Sequence, residues 1–208
     1  FAIDKPPFDD PMVRKAFTLA VDREKLVEEF FGNTGQVAHG FLPPGLPGYD
    51  TSIPDILFDP DEARRLLADS SYGGPDGLPP ILYTTANVGG RASARVESLL
   101  DMWNRNLGVK VGVRLLDADT YLYALRGRID NMFDHGWVAD YPSPQNFLDI
   151  LFRSGAKNNL GKYSSPEGDA LLDKAQVEQN EDQRLELYRH VERLLVRDSA
   201  AIPLNFGR

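Results

Sequence analysis

The 208-residue sequence predicts an α/β domain, and three features of it carry that expectation. A β-type run at Ile81 to Ala86 is followed by a long amphipathic stretch and then by an alternating run at Val109 to Leu115, the grammar of a βαβ unit. Pairs such as Asp10-Pro11, Asp59-Pro60 and Ser165-Pro166 stand before apolar stripes of helical spacing, where an N-cap and a first-turn proline belong. With 42% hydrophobic and 26% charged residues, the chain has the composition of a domain able to bury a real core.

The elements follow in chain order. Phe1 to Asp4 is a short extended candidate that Pro6 and Pro7 end. Asp10 caps a first helix carrying Val13, Ala16, Phe17 and Ala20, and Asp22 caps a second through Leu26, Val27, Phe30 and Phe31, closed by Gly32. Residues 34 to 58, rich in Gly and Pro, read as a long surface crossing with little regular structure. Asp59 opens a third helix with Ala63, Leu66 and Leu67 on its buried stripe, and acids in its first turn meet the helix dipole. After a Gly/Pro turn and the Ile81 to Ala86 strand, Val96, Leu99, Leu100, Trp103 and Leu107 mark one face of a helix stopped by Gly108.

Val109, Val111, Val113 and Leu115 alternate with polar or small residues, predicting a strand with one buried face, parallel to the first through a right-handed crossover. Thr120 to Arg126 reads as a short helix, Asn131 to Val138 as a further strand, and Gln145 to Phe152 as a helix. Helices begin again at Ser165-Pro166 and at Asn180, and these two should pair as an antiparallel hairpin. Ala200 to Phe206 is extended, with Pro203 marking an edge or a bend.

The formal net charge of −8, with its positive residues scattered, lacks the footprint of a phosphate-backbone binder, so nucleic acid is not an expected partner. No run is long and apolar enough to cross a bilayer, and the N-terminus shows no basic segment followed by an apolar core. The absence of cysteine excludes disulfides and thiolate nucleophiles but names no compartment.

Sites for chemistry are few. His39, His135 and His190 lie far apart in sequence and lack the spacing of zinc motifs, so no metal or other cofactor is expected. Between Gly155 and Tyr163 the glycines stand one residue too far apart for a phosphate loop, and Tyr163 replaces the hydroxyl that would hold magnesium. Asp119 reads as the cap of the following helix rather than as half of an acid pair with Asp117. Asp140 differs, because it stands beside Trp137 and Tyr141 just after a predicted strand, where open α/β sheets bind ligands. A carboxylate between aromatic walls can receive an ammonium group; it can equally cap a turn before Pro142 with the aromatics in the core.

Six blocks occur in the order of one family. They run from Pro7-Phe8-Asp9-Asp10 to Ala20-Val21-Asp22-Arg23; over Asp59-Pro60-Asp61-Glu62-Ala63-Arg64-Arg65-Leu66-Leu67; from Trp103 to Leu107-Gly108-Val109; over Gly136-Trp137-Val138-Ala139-Asp140-Tyr141-Pro142; from Asn159 to Asp169; and over Asp198-Ser199-Ala200-Ala201-Ile202-Pro203-Leu204. In these blocks the chain resembles the family 5 extracellular solute-binding proteins of ABC importers, which take up dipeptides, oligopeptides or nickel.

The resemblance implies one lobe of a two-lobed, type II periplasmic-binding-protein fold, with a mixed β-sheet flanked by helices. Residues 1–208 would form a single α/β lobe, with 1–5 and 200–208 as cut hinge-strand segments. It also implies capture without catalysis: a peptide or peptide-like solute held between lobes, delivery to permease subunits, a periplasmic or cell-surface location, and a monomer. Contact with the membrane would run only through the permease or through a lipid anchor outside this chain.

Asp140 would hold the ligand's α-ammonium group, Trp137 and Tyr141 would form an apolar wall, and backbone groups around Val138 and Ala139 would complete the site. Relatives can carry an arginine shortly before this Trp, whereas Asp134 and His135 stand here. A nickel chelate, haem or an oligosaccharide is the alternative ligand within the family, and a hydrolase using Asp117, Asp119 and Asp140 is the alternative outside it.

Overall fold

The computed structural model describes residues 1–54, 56–127 and 130–207. Its elements are α1 (Pro11–Leu19), α2 (Arg23–Phe30), β1 (Gly35–Val37), α3 (Pro60–Asp69), β2 (Ile81–Ala86), α4 (Ala94–Leu107), β3 (Val111–Leu116), α5 (Tyr121–Leu125), β4 (Met132–Phe133), α6 (Gln145–Phe152), α7 (Pro166–Val177), α8 (Glu181–Arg197) and β5 (Asn205–Gly207). Strands β3, β2 and β4 form a parallel sheet in that order, with Ile81 opposite Val111 and Tyr83 opposite Met132. A separate ribbon pairs β1 with β5 antiparallel. Pairing is therefore mixed across the chain, parallel in the three-stranded sheet and antiparallel in the ribbon, with helices flanking the sheet.

Side chains set the helix starts as their types require. Asp10 accepts the Met12 N–H at 2.7 Å, Asp22 that of Lys25 at 3.0 Å, and Asp59 that of Glu62 at 2.9 Å. Ser165 and Asn180 do the same for Gly168 and Gln183, each at 3.0 Å. Gly108 ends α4 in the left-handed region at φ 72°, where a Cβ would be strained.

The largest core gathers α1 to α4 and β2 around Trp103, which is 1% exposed, donates its indole N–H to the Phe17 carbonyl at 2.9 Å and packs against the Phe17 and Tyr83 rings. A second core joins α6, α7 and α8 with Leu42 and Tyr163, and a small third one lies around Leu116, Tyr121 and Leu125. Ile3 packs against both larger cores. Helices α7 and α8 pack together as the expected hairpin.

Several expectations need correction. Phe1 to Asp4 forms no strand: Ala2 and Ile3 donate their N–H groups to the Asn131 and Gly161 carbonyls, and a turn follows. The crossing at residues 34–58, of which Asp55 lies outside the described residues, holds β1, whose partner is the far end of the chain. The extended end becomes strand only at Asn205–Gly207; Arg208 lies outside the described residues.

Val113 is 38% exposed, because β3 is an edge strand and its alternating face is only partly covered. The strand expected at Asn131 to Val138 stops at Phe133, since the Asp134 carbonyl accepts the Tyr121 hydroxyl at 2.8 Å instead of continuing a ladder. Asp119 does not cap α5: Thr120 takes that position without a side-chain bond to the helix N–H groups, and Asp117 accepts the Asp119 N–H at 2.9 Å.

Candidate functional site

Past β4 the chain runs from Asp134 to Ala139 without regular structure, bends from Asp140 to Ser143, and enters α6 behind Pro144. Asp140 is exposed, and among the described residues its carboxylate accepts no hydrogen bond and joins no ion pair, so it does not cap the turn before Pro142. Trp137 is half-buried against the second core and donates its indole N–H to Asn146 Oδ1 at 2.8 Å. Tyr141 is 43% exposed and its hydroxyl bonds Gln145 Oε1. Ala139 packs partly on the second core, while Val138 is 85% exposed. The five residues thus form one ledge, with the carboxylate and the Val138 side chain open to solvent.

Beside the ledge lies a cavity of about 580 Å³, a size suited to a small ligand. Of the five ledge residues only Trp137 lines it; Phe41, Tyr83 and Phe152 supply further apolar wall. Its polar wall includes Arg95 and Asp134, whose side chains pair at 3.1 Å and are 24% and 23% exposed, together with His135, Asn158, Asn159 and Asn205. The single Tyr121 hydroxyl proton lies between the Asp134 carbonyl and its carboxylate, with Oδ1 at 3.0 Å. Burial, reinforced by the Asp134 charge, pushes the Tyr121 phenol up, so it stays a donor at any ordinary pH.

Sequence reasoning placed Asp134 next to the site but missed Arg95, which reaches the cavity from the first turn of α4. It also missed Asn146, which is fully buried although polar. The sequence offered a signal for Asn146 alone, a polar residue set directly before the apolar run Phe147-Leu148. The stretch rejected as a phosphate loop is braced from within. Buried Asn159 accepts the Tyr163 N–H at 3.1 Å and donates to the Tyr163 carbonyl at 2.7 Å. The three acids Asp117, Asp119 and Asp140 do not share the cavity wall.

Residues 1–159 match the family described as bacterial extracellular solute-binding proteins, family 5 Middle. The periplasmic oligopeptide-binding protein OppA of Escherichia coli K12 is 30% identical over 208 residues, covering 97% of this chain and 38% of that protein. Heme-binding protein A of Haemophilus influenzae is 30% identical over 213 residues, covering 98% of this chain and 38% of that protein. The chain therefore spans well under half the length of these relatives.

Among solved structures, Helicobacter pylori DppA in complex with the peptide STSA superposes with a TM-score of 0.90 at 23% identity, over 100% of this chain and 40% of that one. The murein tripeptide binding protein MppA of Escherichia coli gives 0.88 at 24%, over 100% and 41%. The family match, the shared architecture and the order of the six sequence blocks agree: this chain belongs to the family 5 bacterial extracellular solute-binding proteins.

Proposed function

We propose that this chain is the lobe of an ABC-importer binding protein that takes the amino-terminal end of a peptide or peptide-like solute. Asp140 would pair with the ligand's ammonium group, Trp137 and Tyr141 would shelter that pair from water, and backbone groups at Val138 and Ala139 would complete the contact. The observation that carries this reading is the state of Asp140: an exposed carboxylate with no protein partner among the described residues, flanked in sequence by Trp137 and Tyr141, whose side chains are both tied to the start of α6. Pairing such a group with a cation and closing a second wall over it raises the strength of the pair by excluding water.

The remainder of the reading rests on the family. The chain acts by capture rather than catalysis, as one wall of an interlobe cleft, with residues 1–5 and 200–208 joining it to the other lobe. Closure around the ligand would present the protein, as a monomer outside the cytoplasmic membrane, to permease subunits. Among the described residues no helix is long and apolar enough to cross a membrane.

The test is calorimetry on the complete binding protein with trialanine and with N-acetyl-trialanine. Asp140→Asn should weaken trialanine at least about tenfold, or about 1.4 kcal/mol, and leave the acetylated peptide unchanged. Equal trialanine affinity for wild type and variant would remove the ammonium-binding role. Haem or a nickel chelate bound in preference to either peptide would move the site to the other ligand class.

A further inference from the structure

From His135 to Asp140 no backbone group bonds another backbone group among the described residues. A stretch without a ladder keeps its shape only if side chains hold it. Among the described residues two side-chain hydrogen bonds hold the stretch and its far end, and both run to the first turn of α6: Trp137 to Asn146 at 2.8 Å and Tyr141, just past Asp140, to Gln145. They flank Asp140 in sequence. Helix α6 is itself fixed, with Phe147 and Leu148 buried in the second core and the Asn146 N–H bonded to the Ser143 carbonyl at 3.0 Å.

The indole fixes how the Asn146 amide is turned. An indole N–H only donates, so the amide must present Oδ1 to it, and Nδ2 then points away. That Nδ2 is buried without an acceptor among the described residues, in a side chain that is 0% exposed. A buried orphan donor is unfavourable, so this amide sits at a local disadvantage that its one bond to Trp137 explains.

We propose that Asn146 is a positioning residue of the binding site: its Oδ1 pins the Trp137 indole and thereby fixes the unladdered stretch that aims Asp140 at the ligand. This rests on the reading of Asp140 given above. Asn146 touches no ligand itself and acts through Trp137.

The chain has two tryptophans, and both indole N–H groups are bonded, Trp103 to the Phe17 carbonyl and Trp137 to Asn146. In the 15N-tryptophan-labelled chain the Trp103 signal is therefore an internal control for folding. Asn146→Ala should shift the Trp137 indole signal upfield and speed its exchange with water about tenfold, leaving Trp103 unmoved. Asn146→Asp, which keeps an oxygen acceptor, should restore the signal toward its original position.

In the complete binding protein, Asn146→Ala should weaken trialanine about tenfold, Trp137→Phe by a similar factor, and the double variant no more than either alone. Should Asn146→Ala fail to fold, the near-isosteric Asn146→Leu removes the same acceptor without touching the Trp137 wall, and its Trp137 indole signal and trialanine affinity decide the matter. An unmoved Trp137 signal, or wild-type affinity in Asn146→Ala beside a weakened Asp140→Asn, would overturn the role of Asn146 and leave Asp140 standing. Weakened Asn146→Ala beside an unaffected Asp140→Asn would keep the pin on Trp137 and overturn the Asp140 reading instead.

Discussion

Around Trp103 the buried charges are arginines that donate to loop carbonyls, whereas on α8 the buried charge site is a carboxyl that accepts from loop N–H groups. Arg14, 5% exposed, donates to the Phe8 carbonyl at 2.8 Å and to that of Asp198 at 3.1 Å, and Arg23 reaches the carbonyls of Ala38, Ile56 and Pro203. Glu192, 1% exposed, accepts the Phe41 and Leu42 N–H groups at 2.6 and 2.8 Å through the same oxygen, Oε1. Both devices satisfy irregular backbone that has no ladder of its own.

They differ in what pH does to them. Burial pulls Arg14 down, yet a guanidinium keeps its proton at any pH a protein tolerates. Burial instead pushes Glu192 up to about 7, with the Asp50 charge adding to the rise, while the two backbone N–H groups and Arg193 oppose it. Its second oxygen is buried with no partner among the described residues. The loops beside the first core are thus tied by permanent charge, whereas the loop at Phe41 and Leu42 is held by a group on α8 that titrates near neutrality.

The largest effect that can break this contrast is Trp103→Ala, which empties the centre of the arginine-braced core. It should cost about 3–5 kcal/mol in urea unfolding, and a loss below about 1 kcal/mol would show that the first core is not organised around this ring.

The titration of Glu192 comes next. Its folded pKa is raised from 4.5 to about 7, so the folded state holds the proton through that window and stability falls as pH rises across it. The drop is about 3 kcal/mol at about 1.4 kcal/mol per unit. Glu192→Gln should flatten the stability profile between those two pH values. A slope unchanged in the variant would place the titration elsewhere.

The smallest is Gly40→Ala, whose Cβ would collide with Glu192 Oε1. It should destabilise by about 1–3 kcal/mol, and by less in the Glu192→Ala background, where the colliding carboxyl is gone, if the two sites are coupled as the structure has them. Equal losses in both backgrounds would separate the loop from the carboxyl.

What the sequence made legible was local. The caps at Asp10, Asp22, Asp59, Ser165 and Asn180 and the parallel βαβ unit were readable, because each depends on residues within a turn or on a period of two or 3.6. What escaped depends on partners distant in sequence. No local pattern marks Gly35–Val37 as a strand when its partner is residues 205–207, and nothing near Phe133 says that Tyr121 will claim the next carbonyl.

The ledge divides the same way. Asp140, Trp137 and Tyr141 are neighbours in sequence and could be grouped by type. Arg95 comes to the cavity on another element, and Asn146 declares its role only once it is seen to be buried against the indole.

The β1–β5 ribbon places Gly35 opposite Gly207 and so spans most of the chain in a single pairing. Closing so wide a ring has an entropic cost that grows only slowly with length, but the search for it is slow, because both ends must already be held near one another. Its natural place in folding is late, after the βαβ unit and the α7–α8 hairpin have formed from nearby residues. The short ribbon then works as a clasp, closing over a crossing that Arg23 at Ala38 and Glu192 at Phe41 and Leu42 already hold in place.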